Sequence, residues 1–260
     1  MPELTAVRGH NAGGVTTLTL NRAEKRNALN ATVMAELTQA LESAAEDEAC
    51  RVVVLTGAGE AFCAGMDLGH LEALGAKTQR EHRADSEQIA RLLRTLYDLP
   101  KPTIAAVNGA AIAGGMGLAT VCDFTLAVPE AKFGYTEVRI GFVPAIVSAF
   151  LREQIGDKRA RDLLLTGRLI KAEEAHALGL VTRVVPAAEL MDEVGKLAGK
   201  LVENSPEALM ATKRLLSEQV RQRLDEAIAL AVEANVQARA TKDFKEGIRA
   251  FLEKRKPKWD

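Results

Sequence analysis

Two strand-like runs, each breaking into a glycine turn, limit the folds open to this chain more than any other feature. Arg51 to Thr56 (RVVVLT) runs into GAGEAFCAGMDL, Gly57 to Leu68, and Thr103 to Val107 (TIAAV) runs into NGAAIAGGMGL, Asn108 to Leu118. β-Branched runs bounded by glycine or asparagine read as strands, and another precedes them at Val15 to Leu20 (VTTLTL). Ala31 to Glu46 reads as a helix, because Val33, Leu37 and Leu41 recur every fourth residue behind Asn30, a natural N-cap. A short helix near Gly115 to Cys122 and a strand at Phe124 to Val128 (FTLAV) repeat the alternation. Strands separated by helices need crossover connections, so the expected class is α/β.

Beyond Pro144 the texture changes. Helices are expected at Ala145 to Gln154, Lys158 to Leu165, Ala172 to Leu178, Ala187 to Glu203, Pro206 to Ser217 and from Arg221 onward, with one strand at Val181 to Val185. Apolar helical stripes must be covered by the rest of the chain or by another subunit. The chain therefore divides into a core, residues 1–200, and a helical C-terminal region, residues 201–260, that ends in the basic KRKPKWD. No linker or low-complexity stretch separates them.

Composition narrows the function classes. At 260 residues and 47% apolar content the chain can bury a sizeable core. Thirty-four Lys and Arg against 35 Asp and Glu leave a formal charge of -1, and one Trp, two Tyr and seven Phe offer no stacking platform. Nucleic acid and anionic membranes are thus poor partners, and an RNA-binding role ranks last. Any anionic ligand must be met locally. Cys50, Cys63 and Cys122 match neither a zinc site nor a disulfide framework, no metal pair of histidines occurs, and no run approaches the roughly 18 apolar residues of a membrane span. A cytoplasmic protein is expected.

Familiar catalytic motifs are missing: there is no GxSxG elbow, no GxxxxGK[ST] loop and no HExxH, and Gly57 and Gly59 lack the third glycine of a dinucleotide fingerprint. The two glycine turns remain. Glycine lets a backbone turn at positive φ and lets a ligand approach its N–H groups. Two such N–H groups converging from separate loops would polarise one carbonyl oxygen and hold the enolate formed from it, with the dipole of the helix after the second turn adding positive potential. On pattern alone, ordinary tight turns explain the same residues.

The chain resembles the enoyl-CoA hydratase/isomerase (crotonase) family from about Val15 to its C-terminus. The segments that carry the resemblance include NRAEKRNALN (Asn21 to Asn30), AFCAGMDL (Ala61 to Leu68), VNGAAIAGGMGLATVCDF (Val107 to Phe124), AKFGYTEVRIGFVP (Ala131 to Pro144) and LLTGRLIKAEEAHALGLVTRVV (Leu164 to Val185), in family order. The resemblance implies a crotonase-like spiral of ββα units, a C-terminal helical trimerisation region, and self-association as a trimer or dimer of trimers. It implies an acyl-CoA substrate and no separate cofactor, coenzyme A being part of that substrate. The oxyanion-hole amides fall on Met66 and Gly114. Residues expected to meet CoA are Lys25, Arg26, Ala64, Met66, Asp67, Leu68, Phe244 and Lys245.

Two-glutamate hydratases of this family carry one glutamate three residues after the second oxyanion amide, where this chain has Gly117, and another that matches Glu137 in FGYTEVRIG. Glu137 is thus the expected catalytic residue, acting alone. One carboxyl and one enolate support hydration of a 2-enoyl-CoA, the reverse dehydration of a 3-hydroxyacyl-CoA, or Δ3-Δ2 isomerisation. VPAIVSAF (Val143 to Phe150) replaces the glycine-rich run of many straight-chain hydratases, and it resembles the methylglutaconyl-CoA hydratase branch, whose short branched substrates carry a distal carboxylate. Arg139, His70, Arg80, His82 and Arg83 are candidate cations for it. Cys63 lacks an identifiable base and reads as a packing residue, and Asp123 as a local cap or ion-pair partner.

Overall fold

A computed structural model describes residues 4–74 and 77–259. The chain opens with a hairpin of β1 (Val7–Ala12) and β2 (Val15–Leu20), followed by α1 (Ala31–Glu46). Three strand–strand–helix units come next. The first is β3 (Val52–Gly57), β4 (Ala61–Cys63), α2 (Leu68–Leu74) and α3 (Gln79–Tyr97); the second is β5 (Thr103–Val107), β6 (Ala110–Ile112) and α4 (Gly114–Val121). The third is β7 (Phe124–Ala127), β8 (Lys132–Gly134), a 3-10 turn at Glu137–Ile140 and α5 (Ala145–Thr166). Then follow β9 (Ile170–Lys171), α6 (Ala172–Ala177), β10 (Arg183–Val184), α7 (Leu190–Glu203), α8 (Pro206–Ala238) and α9 (Lys242–Leu252).

Each unit gives its first strand to one sheet and its second to another. The large sheet has the order β1-β2-β3-β5-β7-β10 and the small one β4-β6-β8-β9. Stepping once per unit across both sheets winds the chain into a spiral of ββα turns, the crotonase fold. β3 and β5 are apolar almost throughout and buried, as parallel strands covered on both faces must be. β1 eluded the sequence reading because five of its six residues are exposed. Its hairpin turns on Gly13 and Gly14, at φ 60° and 81°, the pair of positive values that a two-residue type I′ turn needs.

α1 starts where expected, with Asn30 Oδ1 accepting the Val33 amide at 2.9 Å. Two expected helices merge into α5, interrupted at Gly156 with φ 76° and ψ 166°. The stretches at Pro206 and Arg221 likewise form one helix of 33 residues, since no glycine or proline separates them. The helical region begins with α7, which runs through residue 200. α8 lies against α3 and α5, while α9 covers α2 and the Glu137–Ile140 turn. Beneath α9, Leu71, Leu74, Phe244 and Ile248 form a small apolar cluster apart from the main core. Among the described residues no helix is long and apolar enough to cross a membrane.

Candidate active site

Three neighbouring strands of the small sheet deliver the site. β4, β6 and β8 run parallel, and just past their carboxyl ends stand Met66, Gly114 and Glu137, all three lining one cavity. Carboxyl ends of parallel strands are where α/β folds present loops to ligands. Two glycines let these loops touch. A Cβ on Gly115 would stand 2.3 Å from the Cys63 carbonyl oxygen, and one on Gly65, at φ 91°, would stand 3.0 Å from that of Ile112.

Backbone alternation frees the first amide. Leu29 N–H donates to Gly65 O at 2.7 Å and Asp67 N–H donates to Leu29 O at 2.8 Å, a parallel bridge between Leu29 and Met66. Met66 N–H faces the other way, and among the described residues it has no acceptor. Gly114 is the first residue of α4, whose first bond runs from Gly117 N–H to Ala113 O at 3.0 Å. Its amide therefore lies open at the positive end of the helix. Ala113, the N-cap, holds φ 52° and ψ -122°, a conformation that costs a non-glycine residue on the order of 1–3 kcal/mol and that clusters at functional sites.

Glu137 opens the 3-10 turn and is only 9% exposed. Its Oε2 is buried and has no partner among the described residues. Burial among apolar neighbours such as Leu29, Ile112 and Val147 pushes its carboxyl up to about 7. It can therefore both take and return a proton near neutrality. No second carboxyl joins it: Glu137 is the only acidic residue lining the cavity among the described residues. The space beside Gly117 is filled, since a Cβ there would stand 2.8 Å from Val147 Cγ1 and 3.5 Å from Leu93 Cδ1.

None of the five cations considered for a distal carboxylate lines the cavity. Arg139 is exposed beside Gly167, Arg80 is exposed, Arg83 pairs with Glu233, His70 Nε2 lies 2.5 Å from Asp85 Oδ1, and His82 Nε2 bonds Lys77 O at 3.0 Å. The cation that does line it is Arg239, with Asn235 one turn before it on α8. Both were missed in the sequence. The signal was present: Leu224, Ala231, Asn235 and Arg239 follow helical spacing, so two polar residues sit on a buried apolar stripe.

The residues expected to meet CoA fall into three groups. Lys25 and Arg26 are exposed, and Arg26 O accepts the Ala64 amide at 3.0 Å, which stitches the basic loop to the Met66 segment. Leu68 is 52% exposed at the start of α2. Asp67 is occupied locally: it pairs with Arg22 at 3.0 Å and caps α2 through Gly69 N–H at 2.9 Å. Phe244 is buried, its ring 5.1 Å from that of Phe142, whereas Lys245 is exposed on the outer side of α9. Cys63 is fully buried, and burial pushes its thiol up to about 12, so it packs rather than attacks. Asp123 accepts from Thr103 N–H at 2.7 Å and pairs with Lys213 at 2.7 Å, the local role expected of it.

Two open amides and one buried carboxyl around an apolar cavity make an arrangement chemically suited to polarising a carbonyl and moving a proton beside it. Comparison with known proteins narrows that chemistry. A family profile described as enoyl-CoA hydratase/isomerase matches residues 10–260. A putative enoyl-CoA hydratase of Thermus thermophilus is 47% identical over 95% of this chain and 98% of its own length. A crotonyl-CoA hydratase of Syntrophomonas wolfei is 38% identical over 92% of each chain. The crystal structure of an enoyl-CoA hydratase from Mycobacterium avium superposes with a TM-score of 0.88 at 34% identity, covering 100% of both chains. The chain belongs to the enoyl-CoA hydratase/isomerase family. These relatives are themselves named as hydratases, lyase-type enzymes of that family.

Proposed function

We propose that the protein adds water to a short 2-enoyl-CoA, with Glu137 as its single acid/base. The thioester oxygen accepts hydrogen bonds from Met66 N–H and Gly114 N–H. Glu137 takes a proton from water as the oxygen bonds to C3, the electrons move onto the thioester oxygen as an enolate, and Glu137 returns the proton to C2. The carboxylate is regenerated, and one water has been added. The observation that carries this reading is the buried Glu137 carboxyl, one oxygen of it unpartnered, held at about 7 beside two open amides. Run backwards, the steps dehydrate a 3-hydroxyacyl-CoA.

The cavity, about 140 Å³, suits a short acyl chain, because a space of about 150 Å³ accommodates a benzene-sized molecule. A branched chain such as that of 3-methylglutaconyl-CoA is favoured by the VPAIVSAF run. No cofactor or metal is needed, since coenzyme A arrives with the substrate. Lys25, Arg26, Ala64, Met66, Asp67, Leu68, Phe244 and Lys245 constitute the proposed CoA surface, with Asp67 and Phe244 acting through the loops they fix. Self-association as a trimer or dimer of trimers belongs to the same proposal, supported by the exposed Leu215, Leu216 and Leu230 along α8. A cytoplasmic location is supported by three buried free cysteines.

A second reading, Δ3-Δ2 isomerisation, draws on one observation: Val147 fills the place of a second carboxyl, and one carboxyl suffices to carry a proton between C4 and C2. Incubation with crotonyl-, 3-methylglutaconyl- and 3-hexenoyl-CoA, followed by mass, separates the two. Gain of water by the 2-enoyl esters is expected. Double-bond migration with no mass gain on any ester would overturn the proposal.

A further inference from the structure

Met66 and Glu137 stand on different segments, yet one buried group of charged side chains is linked to both. Asp85 of α3 is 5% exposed, and Arg239, the residue that ends α8, is 3% exposed. They pair at 2.7 Å, and Asp85 also meets His70 of α2 at 2.5 Å and Lys77 at 3.6 Å. Burial would raise the Asp85 carboxyl, but the His70 hydrogen bond and the Arg239 charge outweigh it and hold the carboxyl at about 2. Asp85 is therefore ionised and ties α2, α3 and the end of α8 together.

Contacts run from this group toward both halves of the site. On one side, the His70 amide in the first turn of α2 donates to Asp67 Oδ1 at 3.3 Å. Asp67 N–H donates in turn to Leu29 O at 2.8 Å, which fixes the Met66 segment. On the other side, the Arg239 guanidinium lies over the Phe142 ring at 5.5 Å, and Phe142 N–H donates to Glu137 O at 3.0 Å. Arg239 is held over that ring, since Nη1 also donates to His82 O at 3.2 Å. Met66 and Phe142 pack against the same apolar cluster beneath α9. A planar guanidinium braced by a carboxylate stacks on a ring in a way that a flexible ammonium does not reproduce.

We propose that the Asp85–Arg239 pair is a clasp that keeps Glu137 in register with the Met66 amide, Arg239 being a positioning residue that acts through Phe142. The inference rests on the hydratase reading above for the reaction it serves. Arg239 transfers no proton. It holds Phe142 in the wall of the cavity that Glu137 shares, and so screens the carboxyl from bulk solvent. Misplacing a reacting group by about 1 Å costs up to about a hundredfold in rate.

Arg239→Lys and Phe142→Leu test the clasp. Neither changes a formal charge, so a shifted Glu137 reports its position rather than the field around it. Tyr135, its buried hydroxyl pushed up, stays neutral throughout. Asp85→Asn is avoided because it strands a buried guanidinium and endangers the fold. In the full-length protein, difference infrared titration follows the protonated-carboxyl band that Glu137→Gln removes, and circular dichroism checks the fold of each variant. The wild type should titrate at about 7, and both variants lower by about one pH unit or more, toward the ordinary 4.5. Turnover of crotonyl-CoA should fall by about tenfold or more in both, with KM within about threefold, because the two amides remain. A folded variant with the wild-type titration overturns the clasp, whatever its turnover, and so does a shifted titration with wild-type turnover. A wild type that hydrates neither crotonyl- nor 3-methylglutaconyl-CoA sinks the hydratase reading, and the titration alone then decides the clasp. A wild-type Glu137 that titrates near 4.5 overturns both.

Discussion

Glu137→Gln should make the protein more stable above neutral pH, and the gain can be worked from the site. Burial holds the native carboxyl at about 7, against an ordinary value of 4.5. Between those values the native state keeps a proton that the unfolded chain releases. Stability therefore falls as pH rises through this window; Glu137's favourable share is complete below the unfolded value and lost once pH passes the folded one. A shift of this size is worth about 3 kcal/mol at 1.36 kcal/mol per pH unit. Glutamine has nearly the same shape and no proton to lose, so the other titrating groups cancel between the two proteins. Urea unfolding of both, at one protein concentration and from about pH 4 to about pH 8.5, should show the variant gaining about 3 kcal/mol on the wild type across the range. A stability difference that stays flat with pH would refute the account of Glu137 as a desolvated, unpaired acid.

One further substitution and one labelling experiment probe how the site is assembled. Gly115→Ala should cut turnover by about a hundredfold or more, since the new Cβ meets the Cys63 carbonyl at 2.3 Å and drives the two amide-bearing loops apart; wild-type kinetics in that variant would mean the loops need not touch. Cys63, buried and with its thiol raised to about 12, should resist an aromatic disulfide reagent in the native state and react after unfolding in guanidinium. Rapid native labelling at Cys63, read by peptide mass, would contradict its packing role.

Apart from its exposed edge strand β1, the large sheet stood out in the sequence, because β3 and β5 are long enough for continuous apolar runs to show. The small sheet did not. β4, β6 and β8 have three residues each, too few for any periodicity, and their pairing rests on backbone contacts between glycine-rich loops. Met66 and Gly114 were reached through a family likeness rather than through physics, since an open amide leaves no mark in side-chain pattern. Glu137 needed the likeness as well. Only the fold supplies the apolar walls whose burial of Glu137 raises its carboxyl. Conversely, Asn235 and Arg239 were legible as polar residues on a buried helical stripe. Attention to cations near Glu137 in sequence led instead to Arg139, which the 3-10 turn points toward Gly167 and away from the cavity.

The central claim is that one carboxyl, working with the Met66 and Gly114 amides, does all the proton transfer. Hydration of crotonyl-CoA by Glu137→Gln tests it most directly, with binding of butyryl-CoA measured in the same preparation. Turnover should fall by about a hundredfold or more, while the affinity for butyryl-CoA stays within about threefold of wild type, because both amides remain in place. Turnover close to that of the wild type would show that another group moves the proton, and the account would fail.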